Sequence, residues 1–244
     1  MRSPVLLVIA HGSRDPRHAA TVHALVGRVR AARPGVRVEV GFLDFNVPSV
    51  NGVLESLAAE GVRDVIALPL LLTRAFHAKA DIPAVLRDAP ARLRIRQAEV
   101  LGPSPLLVSA LERRLYEAGL TADRSSTGIV LASAGSTDPE AIAVIDDLAR
   151  EWQRDGWFAV RPAFASAALP RTEDAVRSLR ALGCRRVAVA PYVLAPGFLP
   201  DRIARGAGEA DVLADVLGAA PEVARVVLER FDAARMPALA AVGA

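Results

Sequence analysis

The second half of this chain repeats the first, so only architectures that can be built from two copies of one unit are open to it. VLLVIAHGSRDPRHA at 5–19 is echoed by GIVLASAGSTDPEA at 128–141, GFLDFNVPSV at 41–50 by AFASAALPRT at 163–172, and EGVRDVIALPLLLTRAFHAKADI at 60–82 by LGCRRVAVAPYVLAPGFLPDRI at 182–203. The spacings agree as well. Gly12 and Phe42 lie 30 residues apart and Gly135 and Phe164 29; Phe42–Pro69 and Phe164–Pro191 are both 27 apart, and Pro69–Phe76 and Pro191–Phe198 both 7. A self-similarity of this length implies two related lobes. The polar, turn-like LTADRSST at 120–127 places the boundary between them, giving units 1–122 and 123–244.

Each unit alternates apolar runs with helical patterns. In the first, 5–10, 36–42, 64–72 and 93–101 read as strands, and 17–32, 49–60, a segment starting near Lys79 and 105–118 read as helices. The strands are rich in Val, Ile and Leu, as strands covered on both faces are. The expected fold class is therefore α/β: two similar lobes, each a mainly parallel sheet flanked by helices. Asp15 and Asp138 stand as helix N-caps, with Pro16 and Pro139 at the first helical position.

Composition narrows the class of function. Hydrophobic residues make up 52% of the 244, enough for a sizeable core, and no apolar run approaches a membrane span. The formal charge is only +3, no dense basic run occurs and aromatic residues are 5%, so neither nucleic acid nor a membrane is an expected partner. The N-terminal apolar run is too short for a signal peptide, so a cytoplasmic location is expected. Cys184 is the only cysteine, which rules out an intramolecular disulfide and reads as core filler.

Where the two copies differ is where function is sought. Gly12, Ser13, Asp15, Pro16, Pro48 and Phe76 recur in the second copy, but His11 is matched by Ala134, Asp44 by Ser166 and His77 by Leu199. All four histidines lie in the first unit. His11, Asp44 and His77 each follow a strand, and in an open parallel sheet ligands bind beyond the carboxyl ends of the strands. Two imidazoles and a carboxylate suit iron(II), cobalt(II), nickel(II) or zinc, and they suit proton transfer near neutral pH. As a plainer reading, Asp44 caps the turn before Pro48. His18 and His23, five apart on one helix, read as surface or packing residues.

AHGSRDP at 10–16, GFLDFNVPS at 41–49 and PLLLTRAFHAKADIP at 69–83 resemble the class II tetrapyrrole chelatases, the CbiX/SirB-type sirohydrochlorin chelatases. The likeness extends through the repeat over most of the chain. It implies insertion of Fe2+ or Co2+, with Ni2+ as a further substrate metal, into sirohydrochlorin or a related tetrapyrrole for sirohaem or cobalamin biosynthesis, with no tightly bound cofactor. It implies that His11 and His77 are metal ligands and pyrrole proton acceptors. Asp44 corresponds to an acidic residue that is glutamate in the family pattern and here is one methylene shorter. The cleft between the lobes would hold the macrocycle, with Ser13, Arg14, Arg17, Arg74 and Lys79 around it and the guanidinium groups matched to its carboxylates. A single chain would then close its own cleft as a monomer with pseudo-twofold lobes.

Other classes fit some of the same residues. A metal carrier or sensor could use His11 and His77 without insertion. A histidine phosphatase would need an arginine before its nucleophile, where Ala10 stands, and neither a G-x-S-x-G elbow nor a phosphate-binding glycine loop occurs.

Overall fold

In a computed structural model, residues 3–74, 81–121 and 123–236 are described. The first repeat runs β1 (Val5–Ala10), α1 (Pro16–Ala32), β2 (Val38–Phe42), α2 (Val50–Ala59), β3 (Asp64–Pro69), α3 (Ile82–Arg87), β4 (Arg94–Gln97) and α4 (Pro105–Glu117). The second runs β5 (Thr127–Ser133), α5 (Pro139–Gln153), β6 (Ala159–Phe164), α6 (Thr172–Ala181), β7 (Arg186–Tyr192), α7 (Phe198–Gly206), β8 (Val212–Leu213) and α8 (Pro221–Arg235). Two parallel four-stranded sheets result, ordered β2-β1-β3-β4 and β6-β5-β7-β8, so the repeat seen in the sequence is a repeat of topology. β1 and β5 are interior strands and wholly buried, which explains the apolar VLLVIA of β1 and the IVLA run within β5.

Several expected boundaries move. β3 stops at Pro69, not at Leu72, although Leu70 N–H still donates to Ile9 O at 2.8 Å. β4 stops at Gln97, although Ala98 N–H still donates to Ala67 O at 2.8 Å. α3 is described from Ile82, while the Lys79 start expected for it lies outside the described residues. The N-caps hold: Asp15 Oδ1 accepts from Arg17 N–H at 2.9 Å and Asp138 Oδ1 from Glu140 N–H at 3.0 Å. Cys184 is buried in the second lobe.

The last helix of each repeat covers the sheet of the other. α4 packs on β7, and α8 packs on β3, α1 and α4. Leu107, Leu111 and Leu115 of α4 thus share one core with Ile129 and Leu131 of β5, and Val223, Val227 and Phe231 of α8 share it with Leu6 and Ile66. Polar contacts tie the exchange down. Arg33, at the end of α1, makes two hydrogen bonds to Asp232 at 3.0 and 2.8 Å, and Arg113 makes two to Glu222, both at 3.0 Å. Arg230 donates to the carbonyls of Val100, Leu101 and Pro103. Glu112 of α4 accepts from the indole N–H groups of Trp152 at 2.9 Å and Trp157 at 3.3 Å. No helix among the described residues is long and apolar enough to cross a membrane.

Candidate functional site

The carboxyl ends of β1 and β5 face one cleft. Its volume is about 410 Å3, within the ~300–1,000 Å3 usual for small-molecule sites. Leu70, Leu72, Ile142, Ile145, Phe164 and Leu194 give it apolar walls drawn from both repeats.

His11 is carried into this cleft by the turn that ends β1. Gly12 makes the turn with φ +97°, and a Cβ there would stand 1.8 Å from Asp44 O, so only glycine lets the ends of β1 and β2 approach this closely. Asp44 N–H donates to His11 O at 2.9 Å, fixing the two residues side by side. Gly135 repeats the arrangement with φ +90° and the position of its missing Cβ 1.9 Å from Ser166 O. The turn is therefore a property of the fold, and the imidazole is what the first copy adds: His11 lines one wall and Ala134 the other.

The other candidate residues are placed as follows. Asp44 is exposed, and its Oδ1 accepts from Phe45 N–H at 2.8 Å, so the carboxylate also shapes its own turn. Phe45, held at φ +60°, sets its ring 6.4 Å from the His11 ring, with the Arg14 guanidinium 5.1 Å above it. Ser13 Oγ accepts from Asp15 N–H at 3.1 Å, a contact repeated by Ser136 with Asp138 N–H at 3.0 Å. Arg17 pairs with Asp15 at 2.6 Å and reaches Asp201 of α7 at 2.9 Å, joining the two repeats. Arg74 is exposed, 3.8 Å from Glu99. His77 and Lys79 lie outside the described residues, so of the three residues expected together the structure places His11 and Asp44.

His18 is the residue that sequence reasoning missed. It was expected at the surface or in packing, yet from the first turn of α1 it lines the cleft with His11. Its Nδ1 is shielded from solvent and has no hydrogen-bond partner among the described residues. Burial pushes its imidazole below the ordinary value, the neighbouring His11 adds in the same direction and Asp15 opposes it. The signal was in the repeat: Asp15-Pro16-Arg17-His18 aligns with Asp138-Pro139-Glu140-Ala141, so His18 is one more imidazole lost from the second copy. His23 is exposed and sits edge-on to Phe42 at 5.7 Å.

The CbiX family profile matches residues 5–118 and again 128–234, together most of the chain. The chain belongs to the CbiX/SirB family of sirohydrochlorin chelatases. It is 26% identical over 205 residues to a sirohydrochlorin cobaltochelatase of Priestia megaterium, covering 81% of this chain and 66% of that one. It is 27% identical over 202 residues to a sirohydrochlorin ferrochelatase of the same organism, covering 81% and 76%. Among solved structures, SirB from Bacillus subtilis with Fe3+ superposes with a TM-score of 0.81 at 24% identity over 94% of both chains, a likeness of fold. As a CbiX/SirB member, the chain has relatives that handle iron and relatives that handle cobalt, and both align across the two repeats.

Proposed function

We propose that this protein inserts Fe2+ or Co2+ into sirohydrochlorin or a closely related tetrapyrrole. The observation that carries the reading is the asymmetric cleft: an apolar slot between two copies of one turn, with His11 on one wall and Ala134 on the other. Apolar walls suit the faces of a flat macrocycle, and a neutral imidazole suits a divalent metal that must be held and then released. His11 and His77 hold the metal substrate. Asp44 offsets its charge or relays protons, and the second repeat serves as the opposite wall. Arg14 and Arg74, both exposed, are available to pair with the carboxylates of the tetrapyrrole. Arg17 would meet those carboxylates only by exchanging its contact with Asp201.

Incubation with sirohydrochlorin and either Fe2+ or Co2+, followed by absorption spectroscopy, tests the reading. Metallation well above the uncatalysed rate, lost in His11→Ala and in His77→Ala, is expected. Metal binding without any acceleration would leave a metal carrier instead. Asp44→Asn is expected to cost less than either histidine variant; an equal or larger loss would put the carboxylate on the metal.

A further inference from the structure

A neutral imidazole has one ring lone pair, so it can bind a metal ion or take a proton, but not both at once. Metal insertion breaks two pyrrole N–H bonds. Each nitrogen gives its electron pair to the metal, and each proton needs an acceptor while the metal is still held. If His11 and His77 hold the metal, their lone pairs are engaged at the moment the protons leave. The two protons therefore need other acceptors, and Asp44 alone would supply only one.

We propose that His18 is one such acceptor, a catalytic residue that faces the macrocycle from α1 and takes one of the two pyrrole protons. The inference rests on the chelatase reading above. Three observations carry it. His18 lines the same cleft as His11. Its Nδ1 is buried without a partner among the described residues, although buried polar atoms are nearly always paired, so no hydrogen bond at that nitrogen fixes the tautomer. Its counterpart in the second copy, Ala141, lines the cleft as well, so the fold does not require an imidazole there.

Two protons leave: one passes to His18, and the other to the Asp44 carboxylate, the proton relay proposed above, or directly to water. The pyrrole N–H bond breaks, its electron pair passes to the incoming metal, and the proton bonds to the imidazole lone pair. The resulting imidazolium is favoured by the Asp15 carboxylate and opposed by burial and by His11. It returns the proton to water when the product leaves. Burial pushes the imidazole below its ordinary value, which favours the neutral ring with its lone pair beforehand.

The test compares His18→Ala and His18→Phe with the parent, the second variant refilling the space so that a packing role is excluded. Cobalt insertion into sirohydrochlorin is followed by absorption, and Co2+ binding by calorimetry. Loss of a positioned general base costs ~10²-fold or more, so kcat should fall by at least about that factor in both variants. KM for the tetrapyrrole and the affinity for Co2+ should stay within about threefold, because the residue is not a ligand. A kcat within about threefold of the parent in either folded variant would overturn the proposal. So would a fall in Co2+ affinity that tracks the loss of rate, since His18 would then be a metal ligand. Failure of the parent itself to accelerate insertion would remove the chelatase reading and this proposal together, whereas an active parent beside variants that keep its rate removes the proposal alone.

Discussion

Gly12 and Gly135 make the same turn under the same constraint, and their comparison separates what the fold needs from what the site needs. Gly12→Ala and Gly135→Ala each drive a Cβ into a carbonyl oxygen at under 2 Å and hold a positive φ. Each should therefore lose ~3–5 kcal/mol, the range of severe backbone and packing clashes, by urea unfolding. At low temperature, where both remain folded, only Gly12→Ala should weaken Co2+ binding, because only its turn carries an imidazole. Equal weakening in both would show that the second turn also handles metal. The sequence made much of this visible. The pairing of HGSRDP with AGSTDP showed the turns, and the loss of His11 at Ala134 pointed to the site. His18 escaped because the faces of α1 were judged by helical spacing. The first turn of that helix borders a cleft made by the other repeat, so its environment is set by residues more than a hundred positions away.

α4 and α8 were legible as helices, but their partners were not. Amphipathic spacing shows that a helix has an apolar face and says nothing of which sheet it covers, and here each helix covers the sheet of the other repeat. Glu112 exposes the consequence. It stands on α4 and satisfies two indoles of the second lobe, with Arg124 hydrogen-bonded to it and stacked 4.7 Å over Trp157. Glu112→Leu strands two donors and should cost ~1–3 kcal/mol each way the network fails, read as a lowered melting temperature. Glu112→Gln keeps an acceptor and should cost less; a larger loss in Gln than in Leu would refute this account of the contact. The pairs that hold α8 are sensitive to acid. Burial alone would raise the Glu222 carboxyl, but Arg113 holds it below its ordinary value, and Asp232 is held down foremost by its hydrogen bonds to Arg33. Carboxyls depressed by folding stabilise fully above their unfolded values, about 4.3 and 3.9, and that contribution fades as pH falls through the lower folded values. Glu222→Gln and Asp232→Asn should therefore be less stable than the parent at neutral pH, by roughly 1 kcal/mol or less for such partly exposed pairs. The gap should narrow below about pH 4. Melting temperatures from pH 3 to 7 check this, and a gap that widens in acid would reverse the assignment.

With one imidazole-bearing turn facing one stripped of its donors, the molecule should bind one Co2+ per chain. Calorimetric titration against a His11→Ala/His77→Ala blank tests that count; two equivalent sites, or a tight site surviving in the blank, would mean that the second repeat also binds metal. The exchange of helices makes a further prediction about the halves. Residues 1–122 alone lack α8, which covers β3, and residues 123–244 alone lack α4, which covers β7. Expressed separately, each half should aggregate or stay partly unfolded, and expressed together they should elute as one folded species. A half that folds cooperatively by itself would show that the exchanged helix is dispensable. The polypeptide passes from one lobe to the other where β4 leads into α4, at 98–104, and where β8 leads into α8, at 214–220. If the cleft opened and closed, those two segments would be the strands of its hinge. The joint between the repeats, bounded by α4 and β5, falls outside those two crossings. A protease that nicked the backbone there would cut the gene product in two and leave the machine in one piece.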